Sequence, residues 1–345
     1  MKFRQLTYLA VVIIFTLAFS PMLAKKTAAS PNVPVAVKTR SAVPALDEKM
    51  IEKIGMYVLG ITDLDIATGS YTMDVYLNIL CSDPCNTPDP TFEVMNATGP
   101  LEVTDETGDN KGNTSHHYRV RVPLGANVLL NDFPFDYHLL NMQMEDKILG
   151  ANKLVYEFDH ETSGVDKYAV VSGWQVEEEV TGEVVVHDYP IYSVPYSRLI
   201  FNVQIYHPWF SSFMKGLFAA IVIVMVGMLS FLMKYDEISE RLALTSSTLV
   251  GAILYHLTLT SSIPPVGYMT FADKFMLSNY VIVFLALTVT VRLMLYVNAD
   301  EKEKALRLHN LTRWSIPGLW VLLTVYLIVF GMSIPLWEYI SRFGF

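Results

Sequence analysis

One apolar stretch, SERLALTSSTLVGAILYHLTLTSSIPP from Ser239 to Pro265, carries side chains that its surroundings do not call for. Nine of its first 24 residues are Ser or Thr, with a carboxylate at Glu240 and an imidazole at His256. Wound as a helix with a period of roughly 3.5 residues, one face reads Glu240, Ala243, Ser247, Val250, Leu254, Leu257 with Thr258, and Ser261. That order of side chains suits the passage of cations. Several copies around an axis would set a carboxylate ring at one mouth and hydroxyls above it. An apolar step over Val250–Leu257 would then close by dewetting. The bland alternative is helix packing, because small and hydroxyl residues let backbones approach. Thr245, Ser246 and Thr248 lie off the stripe and fit that role, and Leu242, Leu249, Ile253 and Leu259 can pack.

The elements that would position such a stripe are legible in the composition. The chain has 345 residues, 52% of them hydrophobic and 17% charged, with a mean hydropathy of +0.34. Its apolar excess lies in residues 208–345, which divide into spans at about 209–233, 239–262, 271–296 and 314–341. Each is near the ~20 residues that cross a hydrocarbon core. Lys302, Lys304, Arg307 and Arg313 fall in the connection 297–313, whereas the connection 263–270 has no Lys or Arg. The positive-inside tendency therefore puts 297–313 inside and 263–270 outside. Trp209, Trp314, Trp320 and Trp337 stand near span ends, as interfacial aromatics do. Residues 1–24, with Lys2 and Arg4 before an apolar core at Leu9–Phe19, have the pattern of a signal peptide. Residues 25–45 have the composition of a linker.

Residues 46–207 read differently. Short segments such as TGSYTMDVYLNIL, HHYRVRVPL, NKLVYEFD and YSRLIFNVQIY alternate polar and apolar residues between Gly, Asn, Asp and Pro turn signals. About ten such strands predict an all-β, immunoglobulin-like sandwich, with a short helix at LDEKMIEKIG before the first strand. Residues 45–206 carry 26 Asp and Glu against 9 Lys and Arg. So acidic a surface argues against nucleic acid and favours cations. Cys81 and Cys85 in CSDPC suit a small disulfide loop in an exported domain, although free thiols fit the residues too.

This order of parts, a secreted β-sandwich followed by four spans with the second one polar, resembles the pentameric ligand-gated ion channel (Cys-loop receptor) family. FPFDYHLLNMQME from Phe133 is similar to the family's Phe-Pro-Phe-Asp signature loop. SGWQVEE and PYSRLIFNVQI resemble its late strands, and the stretch from Ser239 resembles its pore helix and outer loop, especially in prokaryotic members. The resemblance implies a homopentamer in the inner membrane, its N-terminal domain periplasmic or extracellular, that conducts monovalent cations through a pore lined by the second span while the other spans face lipid or each other. It implies that Glu240 sets cation selectivity and that Ala243, Ser247, Val250, Leu254, Leu257, Thr258 and Ser261 line the pore. It also implies that Phe133, Pro134, Phe135 and Asp136 couple to the 263–270 connection, which Pro264 and Pro265 stiffen. The agonist, a proton or a small molecule such as an amine, would bind between subunits at Tyr76, Glu145, Tyr189, Tyr192 and Tyr196. No cofactor or metal is implied.

The sequence departs from the family at three places, one of them the agonist site, where MEDKILG at the second principal loop offers Glu145, Asp146 and Lys147 but no aromatic. Ala126 and Leu140 stand where the signature loop usually has its disulfide, as in many bacterial members, and His207 stands where an Arg usually pairs with the signature Asp, here Asp136. If His207 takes that role, its charge changes near neutral pH. Two rival classes remain. A membrane enzyme lacks its nucleophile, phosphate-loop and metal-ligand patterns. A non-conducting, membrane-anchored β-sandwich receptor would share everything except a working stripe.

Overall fold

The computed structural model of the chain describes residues 49–81, 91–106, 115–334 and 336–343. The expected signal peptide and linker lie outside the described residues, as does Cys85. The described residues form two compact units.

The first unit, drawn from Val35–Leu129 and Tyr137–His207, holds ten strands in two sheets. One sheet runs β4 (Glu102–Asp105), β5 (Ser115–Gly125), β2 (Ser70–Cys81), β1 (Met50–Asp65), β7 (Leu154–Phe158), with β8 (Gly164–Val165) also on β1. The other runs β3 (Phe92–Val94), β6 (Tyr137–Asp146), β10 (Tyr196–Tyr206), β9 (Gln175–His187). Period-two alternation decides which face of each strand is buried. Ile54, Met56 and Val58 on β1, Met73, Val75 and Leu77 on β2, Leu140, Met142 and Met144 on β6, and Leu199, Phe201 and Val203 on β10 meet in one core. The predicted helix at LDEKMIEKIG is corrected: from Met50 onward the chain is already strand, because Met50, Glu52, Ile54 and Met56 turn to the same buried face. A tight turn from Asp65 joins β1 to β2. Asp65 Oδ1 accepts the Ala67 amide at 2.8 Å, and Gly69 takes a positive φ of 69° that a side chain would strain.

The second unit joins residues 208–343 with the loop Leu130–Asp136. By sequence order that loop falls within residues 46–207, the expected sandwich. Its backbone instead reaches the helices: the Phe271 amide donates to Asn131 O at 2.8 Å and the Ala272 amide to Phe133 O at 3.0 Å. Among the described residues four helices are long and apolar enough to cross a membrane: α1 (Trp209–Leu232), α2 (Ile238–Thr260), α3 (Phe271–Asn298) and α4 (Lys302–Phe330), followed by a short α5 (Leu336–Phe343). The fourth helix starts well before the expected 314, so the 297–313 loop is replaced by a tight turn. Residues 302–313 are amphipathic: Ala305, Leu308, His309 and Thr312 are buried, while Lys302, Lys304, Arg307 and Arg313 remain exposed. Trp320 is consequently mid-helix and buried, donating Nε1–H to Asn279 Oδ1 at 2.9 Å, and is not interfacial.

Candidate functional site

α2 sorts its side chains by face. Glu240, Ala243, Ser247, Val250, Leu254, Leu257, Thr258 and Ser261 are all exposed on the single chain. Val250, Leu254 and Leu257 are 57%, 59% and 62% exposed, although they are aliphatic. The opposite side carries Arg241, Thr245, Thr248, Ala252 and Leu259, all buried. Thr248 lies where α1 comes closest, and a Cβ on Gly227 would stand 2.6 Å from its Oγ1. Three of the residues expected to pack are uncovered on the single chain. Ser246 is exposed, and so are Leu242 and Ile253, because the neighbouring helices of the same chain cover a narrower arc than the apolar residues occupy.

The hydroxyls follow a common geometry. Ser247 Oγ donates to Leu244 O at 3.0 Å, Thr258 Oγ1 to Leu254 O at 3.0 Å, and Ser261 Oγ to Thr258 O at 2.7 Å. Each spends its proton on the carbonyl one turn back. The oxygen lone pairs are left on the exposed face as acceptors, which a cation can use and an anion cannot.

At the N-terminal end of α2 lies a charge that the sequence reading passed over. Arg241 is fully buried, with Nη1 3.2 Å from Met233 O and 3.4 Å from His309 Nδ1, and its guanidinium sits 5.5 Å from the Phe231 ring centre. Its Nε and Nη2 have no hydrogen-bond partner among the described residues. The available signal was an arginine inside an apolar span on the side away from the stripe. Near the other end, His256 Nε2 lies 2.9 Å from Asp273 Oδ1 and Nδ1 lies 2.9 Å from Tyr280 Oη. A neutral ring satisfies both by donating to Asp273 and accepting from Tyr280. Asp273 also closes a capping box with Thr270 at the start of α3, a role that T-x-x-D announces.

The signature loop is anchored among the helices. Phe135 is buried with its ring 5.9 Å from Phe271 and 6.4 Å from Tyr339. Pro134 lies against Gly216, which sits in the π-helical segment Met214–Phe218 of α1. The Tyr268 hydroxyl, beyond Pro264 and Pro265, accepts the Leu130 amide at 2.8 Å. Tyr255 Oη donates to Lys215 O at 2.8 Å and to Gly216 O at 3.1 Å, occupying carbonyls that the wider π turn exposes. Asp136 is buried in this unit. His207, in the other unit, lies with its ring centre 3.7 Å from that of Trp174.

In the sandwich, Tyr189, Tyr192 and Tyr196 form a triangle of edge-to-face rings, with centres 5.7 to 5.9 Å apart. Glu145 joins them: Tyr189 Oη donates to Glu145 Oε2 at 2.8 Å, and Arg198 Nε donates to Glu145 Oε1 at 2.6 Å. Arg198 Nη2 also donates to Tyr189 Oη at 2.8 Å. Tyr76 is on β2 in the other sheet, half-exposed, with the Arg119 guanidinium 6.0 Å above its ring. The fold thus brings four of the five proposed agonist residues together and leaves Tyr76 apart. Cys81 ends β2, buried and without a free thiol. Among the described residues no group of three His, Cys, Asp or Glu is placed to hold a metal ion.

The chain is similar to a "Proton-gated ion channel" from Gloeobacter violaceus, with 21% identity over 348 aligned residues that cover 95% of this chain and 93% of the relative. No protein-family model matches the chain.

Proposed function

We propose, from the premise that this chain belongs to the pentameric ligand-gated ion channel family as a prokaryotic-type member, that it is a proton-responsive, cation-selective channel whose pore is lined by α2. As a member of an ion-channel family it is an integral membrane protein and not an enzyme. The observation that carries the pore assignment is the exposed stripe. A helix with the length of a membrane span presents Glu240, Ser247, Thr258 and Ser261 outward. A carboxylate and hydroxyls facing lipid would be costly, so this face meets water. Five copies around an axis, as in the family, would enclose it. Glu240 then forms the ring that attracts cations, and Val250, Leu254 and Leu257 form the apolar step that stays dry when shut.

Protons are favoured over an amine as the agonist for two reasons. The relative is proton-gated by name. In the tyrosine cluster, moreover, Glu145 is already neutralised by Arg198, so no free carboxylate waits for an ammonium. Residues 46–207 would then face the periplasm, with 1–24 directing export.

Recording from the purified chain in a lipid bilayer tests this reading. Acidification should open the conductance. Glu240→Ala should move the reversal potential in a cation gradient toward that of an unselective pore by tens of millivolts. An unmoved reversal potential removes Glu240 from the selectivity role, and silence at every pH would favour the non-conducting receptor.

A further inference from the structure

Glu52 occupies a core position of β1. It lies on the same face as Met50, Ile54 and Met56, and is 2% exposed. Its neighbours in register are Cys81 on β2 and Tyr156 on β7. Lys53, next to it, points to the opposite face and pairs with Asp159 at 3.0 Å. From the other sheet comes Asp146, the last core-facing residue of β6 and 3% exposed. Asp146 accepts the amides of Ile148 at 2.7 Å and of Leu149, and the Thr91 hydroxyl at 2.8 Å. β10 offers only the Ser197 hydroxyl, which already accepts the Tyr156 amide at 3.0 Å. Glu145 and Arg198 pair on the outer face of β6 and β10, and Glu93 on β3 is exposed. No lysine or arginine among the described residues is ion-paired with Glu52 or Asp146.

A second observation marks the same spot. Tyr156 is 2% exposed, and its hydroxyl has no hydrogen-bond partner among the described residues. Burial, and then the field of Glu52, Asp146, Glu145 and Glu93, hold that hydroxyl's proton well above the ordinary phenol range. Among the described residues, two buried carboxyls without an ion-paired cation and an unpartnered phenol thus stand at this end of the sandwich.

We infer that Glu52, Asp146 and Tyr156 form a proton-binding site that links the two sheets. A proton from bulk water adds to a Glu52 carboxylate oxygen, so that repulsion between two carboxylates gives way to a neutral Glu52 carboxyl facing a single charge on Asp146. Burial, and then the Asp146 charge, push the Glu52 carboxyl up to about 7, so uptake falls in the range where a proton can act as a signal. Asp146 is followed back along β6 by Glu145, which holds Tyr189. A shift at the end of β6 is therefore passed to the tyrosine cluster. The link from this site to pore opening rests on the proposed proton agonism. The proton uptake itself does not.

Infrared difference spectra of the full chain in bilayers, titrated from pH 4 to 9, test the site without relying on current. A carboxylic-acid C=O band should titrate near neutrality and vanish in Glu52→Gln. In Asp146→Asn, which keeps its acceptor oxygen but loses its charge, the same band should titrate at a lower pH. Absence of such a band in the wild type, or an unmoved midpoint in Asp146→Asn, overturns the site even if Glu52→Gln does not fold. In parallel recordings, Glu52→Gln should shift the pH of half-activation by about one unit or more, a tenfold change in proton concentration. An unshifted half-activation pH overturns the link to gating. A titrating band in a chain that never conducts supports the site and removes proton agonism alone.

Discussion

β6 has two faces at its end, and the same sheet treats a buried acid differently on each. On the outer face Glu145 meets the Arg198 guanidinium at 2.6 Å and the Tyr189 hydroxyl at 2.8 Å. On the inner face burial, and then Asp146, raise the Glu52 carboxyl of the other sheet, and the Tyr156 phenol has no hydrogen-bond partner among the described residues. Glu145 and Glu52 are equally buried, at 1% and 2% exposed. Burial alone therefore does not decide what a carboxyl does. A matched cation makes it a fixed strut, whereas a like charge in apolar surroundings makes it a group whose proton count changes under mild conditions.

The comparison can be broken most forcefully at Arg198. Arg198→Met leaves Glu145 buried without its cation and should cost about 3–5 kcal/mol of stability, read as a lower melting temperature of the detergent-solubilised chain. A melting temperature equal to wild type would mean that the outer face is no strut. Glu52 comes next. Its folded carboxyl, raised from 4.5 to about 7, keeps a proton that the unfolded chain has already released. Its contribution is complete below pH 4.5 and is lost as the pH rises to 7, a fall on the order of 3 kcal/mol. Glu52→Gln should flatten that part of the pH–melting curve, and a curve still sloping as in wild type would assign the slope to other groups. Tyr189→Phe removes a hydroxyl that both donates to Glu145 and accepts from Arg198, and should cost roughly 1–2 kcal/mol. Tyr156→Phe is the smallest change. It deletes a hydroxyl with no partner, and stability should stay within about 0.5 kcal/mol of wild type or rise. A loss as large as that of Tyr189→Phe would show that the phenol is bonded after all.

The helices offer a parallel contrast. Thr248 and Ser247 are adjacent in sequence, and both give their proton to Leu244 O, at 2.8 and 3.0 Å. Thr248 is buried against Gly227 while Ser247 faces outward. The stripe could be read from sequence because helical periodicity is a local property: once α2 forms, 100° per residue sets which side chains share a face. All eight stripe residues are exposed for that reason. Ser246, Leu242 and Ile253 are uncovered on the single chain because their environment there depends on how wide an arc α1 and α3 cover, and residue spacing does not encode that.

The sequence by itself determined the two-part plan, the strand faces, the number of spans and the polar stripe. Each of these follows from hydrophobic periodicity and from the length of helix that crosses a bilayer. Tertiary structure decided what depends on residues far apart in the chain. It brought Tyr189, Glu145 and Arg198 together, and carried Leu130–Asp136 from between two strands to the helices. It also packed Arg241 against His309 and set Glu52 opposite Asp146. Charges act through space, so their consequences appear only when the fold has chosen which of them are neighbours.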